Sequence, residues 1–332
     1  MSITNINPLH DLKGHQASIT AVEYSEKSFL GHHLLVSGSD DKTCRIWDLE
    51  SKKVLKGIKN LADPVTSIKF AKKNQPYIYL SSGTKVLVYD LGNEGIIITD
   101  PIRTYDFSND EINSIDVSDN NKFLATADDE GIVNIIDLGT HNIYKKTLVK
   151  HSNICMSVKF RAKQSWQLWS GGMDSKLYEW DFSRGIPTNI YDTNSKEPSS
   201  AQMFNPPFVY EIATSHTGEW IAAGLGDGTV RLLAPSSKKQ KKQSREISLE
   251  NGHNFMVNSV SFLTKEKPLL ISGSANGRVT VWDHENDTHP IVSMFQLDAK
   301  LGKLNSLTAF ERDGALCIAA AGTGALHIYQ LD

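Results

Sequence analysis

Cysteine is scarce in this chain, and its scarcity excludes two classes of small protein domain. The 332 residues include only three cysteines, Cys44, Cys155 and Cys317, which lie far apart and form no Cys-x-x-Cys pair. A disulfide-stapled domain needs paired cysteines, and a zinc finger needs ligands at short metal-binding spacings. We therefore expect no structural metal and a reducing compartment, the cytoplasm and/or the nucleus.

Long apolar runs and an excess of charge of one sign are also missing. No stretch approaches the roughly 20 apolar residues that span a bilayer, and the first residues lack the apolar core of a secretory signal. Lys and Arg number 35 against 38 for Asp and Glu, a net charge of −3. No overall positive field therefore attracts nucleic acid or an anionic membrane, and neither is expected as a partner.

Three segments of the chain carry the same pattern of residues and align without gaps at their starts. Each begins with a histidine, His15, His151 or His253, followed by apolar residues at offsets +4, +7 and +9. Each then reaches a Trp-Asp pair, in LVSGSDDKTCRIWD, WSGGMDSKLYEWD and ISGSANGRVTVWD. A histidine, an alternating strand, a small-residue strand, an Asp turn and a strand ending in Trp-Asp resemble the WD40 repeat.

Four weaker copies of the pattern fill the gaps between these three segments. The closing positions of all the copies fall near residues 48, 90, 137, 181, 233, 283 and 331. This spacing is that of one four-stranded WD40 blade. The resemblance therefore implies an all-β fold, a seven-bladed β-propeller that forms a single domain over residues 1–332.

The two ends of the chain predict how the ring of blades closes. The last repeat stops after its third strand, whereas about a dozen residues precede the Gly14-His15 pair. We expect residues 1–13 to supply the outer strand of the last blade, because pairing the two ends removes two open sheet edges.

The repeated histidines, serines, aspartates and tryptophans are interpreted as structural rather than catalytic. A catalytic triad is a single activated set, whereas this set recurs with a tryptophan at a fixed offset. The WD40 resemblance implies that each set forms a hydrogen-bonded tetrad tying the loop between blades to the inner strands. The predicted tetrad residues are His15, Ser37, Asp41, Trp47, His151, Ser170, Asp174, Trp180, His253, Ser272, Asn276 and Trp282. Asn276 stands at the aspartate position of its repeat, and we expect no catalytic residue and no cofactor.

Other side chains that could contact a ligand fall into three groups. Trp166 and Trp169 flank the start of a strand and are interpreted as packing residues. Residues 236–245, SSKKQKKQSR, form a basic loop insertion that is either a solvated loop or a nuclear-import or polyanion-binding signal. An acidic group is expected to converge on the face of the propeller that carries the Asp turns, as either a solvated surface or a binding site for a partner. Its members are Asp106, Asp110, Glu111, Asp128, Asp129 and Glu130.

A more particular resemblance lies in the third and fourth repeats. Glu111 to Leu138 and His151 to Arg161, with the motifs LATADDEG and HSNIC, resemble matching blades of the WD repeat-containing protein 53 family. That resemblance implies an interaction scaffold or, as an alternative, a substrate receptor of a cullin-RING ubiquitin ligase. Such receptors dock to the ligase adaptor through a box that ends Trp-Asp-x-Arg or Trp-Asp-x-Lys. Here Glu50, Ser183 and Glu285 stand at the basic position.

The expected function is therefore that of a non-enzymatic scaffold, monomeric alone, that binds other proteins within a multiprotein complex. An enzyme that uses the central channel would need convergent carboxylates, a metal site or a nucleophile with a base. The sequence pattern indicates none of these outside the tetrads. The candidate partner-binding residues are Glu111, Asp128, Asp129, Glu130, His151 and Asn153.

Overall fold

The computed structural model describes residues 2–25, 33–73, 75–145, 149–194, 205–235, 244–263, 269–286, 288 and 290–331. In this part of the chain the regular structure is β-strand, apart from one turn of 3-10 helix at Ala299–Leu301. None of the described residues belongs to a helix with the length and apolarity needed to cross a lipid bilayer.

The first half of the chain forms two N-terminal strands and blades 1 to 3. The N-terminal strands are β1 (Ile3–Asn5) and β2 (His10–Asp11). Blade 1 contains β3 (Ile19–Ser25), β4 (Leu34–Ser39), β5 (Cys44–Asp48) and β6 (Lys53–Ile58). Blade 2 contains β7 (Val65–Phe70), β8 (Tyr77–Ser82) and β9 (Lys85–Asp90), followed by β10 (Ile97–Ile98) and β11 (Arg103–Tyr105). Blade 3 contains β12 (Ile112–Val117), β13 (Phe123–Asp128), β14 (Val133–Asp137) and β15 (Asn142–Lys145).

The second half of the chain forms blades 4 to 7. Blade 4 contains β16 (Cys155–Phe160), β17 (Gln167–Gly172), β18 (Lys176–Asp181) and β19 (Ile186–Asp192). Blade 5 contains β20 (Val209–Thr214), β21 (Ile221–Leu225), β22 (Val230–Ala234) and β23 (Arg245–Leu249). Blade 6 contains β24 (Val257–Phe262), β25 (Leu269–Ser274), β26 (Arg278–Asp283) and β27 (Ile291–Gln296). Blade 7 contains β28 (Leu304–Arg312), β29 (Ala315–Gly322) and β30 (Leu326–Gln330).

Each blade is an antiparallel meander whose first strand lines a central channel. The first strands contact one another in order around the ring, and β28 contacts β3 to close it. The prediction of a seven-bladed β-propeller is confirmed.

The second strand of each blade lies between two neighbouring blades, which explains its small, apolar composition. All six residues of β4 and of β13 are buried. A Cβ on Gly38 would lie 2.4 Å from Val65 on the next blade, and a Cβ on Gly171 would lie 2.4 Å from Val209. Glycine at these positions therefore allows the next blade to approach closely, and the hydrophobic core consists of clusters between adjacent blades.

The N-terminal segment closes the ring, with one difference from the prediction. Strand β2 pairs antiparallel with β30 and is the outer strand of blade 7. Strand β1 instead pairs parallel with β27 and adds a fifth strand to blade 6. Strand β10 does the same to blade 1 by pairing parallel with β6 before the chain enters β11. In both places the incoming chain covers the exposed edge of the preceding blade.

Polar side chains on the first strands also join neighbouring blades, a feature that the sequence analysis missed. Asn113 Nδ2 donates to the carbonyl oxygen of Cys155 at 3.2 Å, and Asn305 Nδ2 donates to that of Ile19 at 2.9 Å. Ser114, the residue after Asn113, accepts through Oγ from the backbone N–H of Val158 on the next blade at 3.3 Å. Ser157 Oγ, on the first strand of blade 4, accepts in the same way from that of Ile212 at 3.0 Å. The visible signal is a Thr or Asn followed by Ser near the start of most first strands, as in VTSIKF and VNSVSF.

Candidate functional site

The first tetrad ties the loop that enters blade 1 to the inner strands of that blade. His15 Nδ1 donates to Asp41 Oδ2 at 2.9 Å, and His15 Nε2 lies 2.8 Å from Ser37 Oγ. The indole N–H of Trp47 donates to the same serine oxygen at 2.8 Å. Asp41 also accepts from the backbone N–H of Gln16, so its carboxylate fixes the loop as well as the imidazole.

The tetrad of blade 4 has the same hydrogen bonds, and an aromatic ring also packs on its histidine. His151 Nδ1 lies 3.0 Å from both carboxylate oxygens of Asp174, and Nε2 lies 2.8 Å from Ser170 Oγ. Trp180 Nε1 donates to Ser170 Oγ at 2.8 Å. The ring of Tyr178 stacks on the imidazole, with centroids 4.0 Å apart.

The tetrad of blade 6 is incomplete. His253 Nε2 lies 2.6 Å from Ser272 Oγ, and Trp282 Nε1 donates to that oxygen at 2.7 Å. Asn276 turns away and donates through Nδ2 to Asn254 Oδ1 at 3.1 Å. No atom of the described residues is a hydrogen-bond partner of the buried His253 Nδ1.

These environments shift the pKa values of the histidines of blades 4 and 6 in opposite directions. Burial disfavours the imidazolium form of His151, but interactions with Cys155 and Asp174 outweigh it and raise the pKa of His151 to about 9. His253 has the burial without a carboxylate, and the positive charge of Arg278 acts in the same direction. The pKa of His253 is therefore lowered to about 3.

The serine oxygens of the tetrads are not placed to attack a substrate. Ser37, Ser170 and Ser272 are fully buried, and each oxygen contacts both an imidazole and an indole. A nucleophile must be reachable by the atom it attacks. The repeated Ser and His side chains thus act as internal links between loop and strand.

The acidic residues of blade 3 meet on the face of the propeller that carries the Asp turns. The backbone N–H of Asp129, in the turn between β13 and β14, donates to the carbonyl oxygen of Glu111, in the loop entering β12. Asn113 Nδ2 donates to Asp129 Oδ1 at 2.7 Å. Glu111 and Glu130 are exposed, and Asp129 is half-buried.

Two candidate partner-binding residues are buried and are withdrawn. The side chain of Asp128 is buried, and its Oδ1 accepts from the backbone N–H of Ile132, so it caps the turn instead of facing solvent. His151 is wholly enclosed in its tetrad. The contacts of His151 are with Ser170, Asp174 and Tyr178 of its own blade. Asn153 is exposed, and its side chain donates to the carbonyl oxygen of Met173 at 3.3 Å.

Blades 1 and 2 contribute carboxylates that the sequence analysis missed. The pKa of Glu111 is raised by partial burial and then by the negative charges of Asp129, Asp110, Asp63 and Asp40. We call these five residues and Glu130 the acidic surface. The only sequence signal for Asp40 and Asp63 was their place in an Asp turn and in a loop between blades, LADPVTS.

Asp106 is paired with a cation, and most of the basic insertion lies outside the described residues. The carboxylate of Asp106 lies 3.4 Å from the ammonium of Lys85. Residues 236–243 of the insertion lie outside the described residues, which resume at Ser244.

The central channel holds charged groups that the sequence analysis did not anticipate. It encloses a cavity of about 590 Å³ whose lining includes Glu23, Lys69, Asp116, Lys159 and Glu211. Lys69 forms an ion pair with Glu23, and Lys159 Nζ lies 3.9 Å from Asp116 Oδ1. The expectation that no carboxylates converge outside the tetrads was therefore wrong, because five of the seven first strands each place a charged residue along the channel.

Two of these carboxylates are used to join blades. Asp116 Oδ2 accepts from the backbone N–H of Phe160, at 2.8 Å. Glu211 Oε2 accepts from Ser259 Oγ at 2.7 Å and from the backbone N–H of Val260 at 2.8 Å. Burial nevertheless raises the pKa of Glu211. Within the described part of the chain, no group of three or more His, Cys, Asp or Glu side chains is arranged to hold a metal ion.

The tetrads, the Trp-Asp strand ends and the closed ring of sheets together define a seven-bladed WD40 β-propeller. The sequence profile of the family "WD domain, G-beta repeat" matches residues 6–48, 99–137, 202–232 and 244–283. The structure supplies the blades that this profile leaves unmatched.

Among individual proteins, the chain is similar to the WD repeat-containing protein 53 homolog of Dictyostelium discoideum. The two are 27% identical over 85% of this chain and 79% of that protein. The chain is also 24% identical to the nuclear distribution protein nudF of Emericella nidulans over 82% of its length, and 22% identical to the transcription factor unc-37 of Caenorhabditis elegans over 87%. Those matches span only 61% and 44% of the two relatives.

Proposed function

We propose that this propeller is a non-enzymatic scaffold within a multiprotein complex, and that its acidic surface binds a basic partner protein. The WD40 fold supports the general role, since rigid blades carry loops that can vary without disturbing the ring. The acidic surface supports placing the partner on the face that carries the Asp turns, and it supports a positively charged partner.

The observation that carries the proposal is the crowding of carboxylates from three blades around Glu111. Four neighbouring carboxylates act on its pKa in the same direction as burial. Like charges repel one another, and a cationic partner relieves that repulsion. A basic segment bound at this surface would therefore remove an unfavourable interaction of the unbound protein.

Carboxylates at an exposed rim mainly steer the encounter with a partner. Such charges raise the association rate and are screened within about 8 Å at physiological ionic strength. We expect binding at this surface to weaken as the salt concentration rises.

The test is quantitative affinity purification with wild-type protein and the double variant Glu111→Lys, Glu130→Lys. Both side chains are exposed, so the reversal should leave the ring folded. We expect the variant to lose a set of basic proteins that wild type retains at low salt and releases at high salt. Equal capture by both proteins would contradict the proposal.

The matched control is Glu50→Lys with Glu285→Lys, two exposed residues that follow the Trp-Asp pairs at the opposite end of their blades. Their backbone N–H groups donate to Asp48 and Asp283, so both residues lie in capped turns. The control should keep the basic partners. It also addresses the ligase-receptor alternative, because it restores the basic residue of the adaptor-binding box; new capture of a ligase adaptor would favour that role.

The proposed compartment is the cytoplasm or the nucleus. Its support is the scarcity of cysteine, since the chain has only three, Cys44, Cys155 and Cys317, and all of them are buried. Fluorescence microscopy of the tagged full chain tests it.

A further inference from the structure

A group of aromatic rings lies between blades 3 and 4, away from the acidic surface. It consists of Phe123, Tyr144, Trp166 and Phe182, which we call the aromatic patch. The centroid of Phe123 lies 4.9 Å from that of Tyr144, 5.7 Å from that of Trp166 and 5.2 Å from that of Phe182. Tyr144 stacks on Trp166 at 6.0 Å.

The strand register places the aromatic patch at the end of the blades opposite the Asp turns. Phe123 begins β13, and Asp128, beside the Asp turn, ends it. Trp166 directly precedes β17, and Phe182 directly follows β18, whose other ends meet at the turn containing Asp174. The aromatic patch and the acidic surface therefore face in opposite directions.

Two rings of the patch are exposed on a rigid base. Tyr144 is 38% exposed and Trp166 is 44% exposed, whereas Phe123 and Phe182 beneath them are buried. Trp169 is fully buried, as expected of a packing residue, whereas Trp166 packs against three rings and still exposes part of its indole. A ring held in place by other rings loses little conformational entropy when a ligand covers it.

The patch is bordered by cations without partners of opposite charge. Lys122, Lys163 and Arg184 are exposed, and each lies within three residues of a ring of the patch. None of the three forms an ion pair with any of the residues that the structure describes. We call them the basic rim.

The carboxylates on this side are already engaged by backbone donors. Asp119 accepts from the N–H of Lys163 at 2.9 Å, and Asp181 accepts from that of Ser183 at 3.1 Å. Asp137 accepts from the N–H of Gly139 at 2.7 Å. These carboxylates keep their negative charges, but Asp137 and Asp181 are half-buried in their turns, whereas all three cations of the basic rim are exposed.

We propose that the aromatic patch and the basic rim form a docking surface for an acidic peptide segment of a partner protein, one that carries an aromatic or long aliphatic anchor. The exposed indole and phenol rings supply the apolar contact, and rings of this kind dominate the energetics of protein interfaces. The basic rim selects carboxylates over cations. The propeller would then hold a basic partner at one end and an acidic segment at the other.

The experiment begins with a phage-displayed random peptide library selected on the full chain. A synthetic copy of the most enriched peptide is then titrated into wild type and each variant by isothermal titration calorimetry, and into wild type while the intrinsic fluorescence is recorded. Trp166 is a suitable reporter because four of the other five tryptophans are buried and Trp220 is partly buried. We expect enriched sequences that combine Asp or Glu with an aromatic or aliphatic residue, and a change of fluorescence that saturates.

Two variants on the surface and one control separate the contributions. Trp166→Ser should weaken the peptide by at least about tenfold, as loss of a central interface anchor does. The reversal Lys122→Glu, Lys163→Glu, Arg184→Glu keeps every ring and should weaken it by about tenfold at low salt and less at high salt. Phe255→Ser removes an equally exposed ring at the Asp-turn end of blade 6 and should leave the affinity unchanged.

Three outcomes would overturn the proposal: no enrichment of peptides, enrichment without acidic residues, or a peptide that binds the Trp166→Ser variant as tightly as wild type. A fourth is concentration-dependent self-association in sedimentation that Trp166→Ser abolishes, because the patch would then be covered by a second copy of this chain. None of these results depends on the acidic surface, so the two proposals fail separately.

Discussion

Blades 4 and 6 carry nearly the same tetrad sequence and hold their histidines in opposite ways. In blade 4 the carboxylate of Asp174 is hydrogen-bonded to His151 Nδ1. In blade 6 the amide of Asn276 is turned away, and His253 Nδ1 has no hydrogen-bond partner among the described residues. The hydrogen bonds of the serine oxygen to the imidazole and to the indole are alike in the two tetrads, with lengths from 2.6 to 2.8 Å. The difference is confined to the turn.

The residue two positions before the tryptophan differs from one tetrad to the next. In blade 4 it is Tyr178, whose ring stacks on His151. In blade 6 it is Thr280, whose hydroxyl donates to the carbonyl oxygen of Gly252. In blade 1 it is Arg45, whose positive charge adds to the effect of burial in lowering the pKa of His15. One repeat pattern therefore supports three electrostatic environments.

The largest expected effect is the loss of the carboxylate in blade 4. Asp174→Ala leaves a buried imidazolium without its counter-charge, and breaking a buried pair in this way costs about 3–5 kcal/mol. Asn276→Ala in blade 6 removes a side chain that makes no contact with His253 and should cost less than about 0.5 kcal/mol. Urea denaturation of both variants measures the free energies of unfolding; similar values would remove the distinction between the blades.

The second prediction concerns pH. The pKa of His151 is about 9 in the folded chain and about 6.5 in the unfolded chain. The folded state therefore binds the proton more tightly, and the stabilisation is complete below pH 6.5 and lost as the pH rises toward 9. The pKa of His253 is about 3, so its contribution is present above pH 6.5 and lost as the pH falls.

The substitutions His151→Ala and His253→Ala should thus respond to pH in opposite directions. Loss of His151 should cost more at pH 6 than at pH 9, and loss of His253 should cost more at pH 7 than at pH 5. Unfolding free energies across this pH range give the two profiles, and parallel profiles would show that the protonation states are the same.

The third prediction converts the tetrad of blade 6 into that of blade 4. Asn276 Oδ1 accepts from the N–H of Arg278 at 3.2 Å, as Asp174 Oδ1 does from that of Lys176, so the turn already has the required shape. Asn276→Asp should give His253 an acceptor, raise its pKa and stabilise the chain by about 1 kcal/mol. NMR titration of the His253 ring checks it; an unchanged pKa would mean that the carboxylate also turns away.

The smallest expected effect lies in the backbone of the same turns. Ser175 in blade 4 and Gly277 in blade 6 both have positive φ, at 58° and 81°. Because a side chain is strained there, Ser175→Gly should stabilise the chain by up to about 1 kcal/mol and Gly277→Ser should destabilise it by about 1 kcal/mol. Thermal melting compares the two, and changes of the same sign would contradict the account.

The sequence was sufficient for the number of blades, the Asp turns and the closing role of the N-terminal segment. These features depend on local residue patterns that recur in each repeat along the chain. The fifth strands β1 and β10 were not predicted, because a pairing of two or three residues between distant segments leaves no periodic signal. The candidate site was predicted only in part: Glu111, Asp129 and Glu130 do meet on one face, but Asp128 is buried.

The properties that only the tertiary structure decided are those of single side chains in a shared environment. The burial of Asp128, the exposure of Trp166, the charges in the channel and the opposite pKa shifts of His151 and His253 each depend on neighbours from another strand or blade. A repeat pattern records which strand a residue belongs to and which way its side chain points. It does not record what the next blade places against that side chain, and burial and electrostatic interactions are summed over those neighbours.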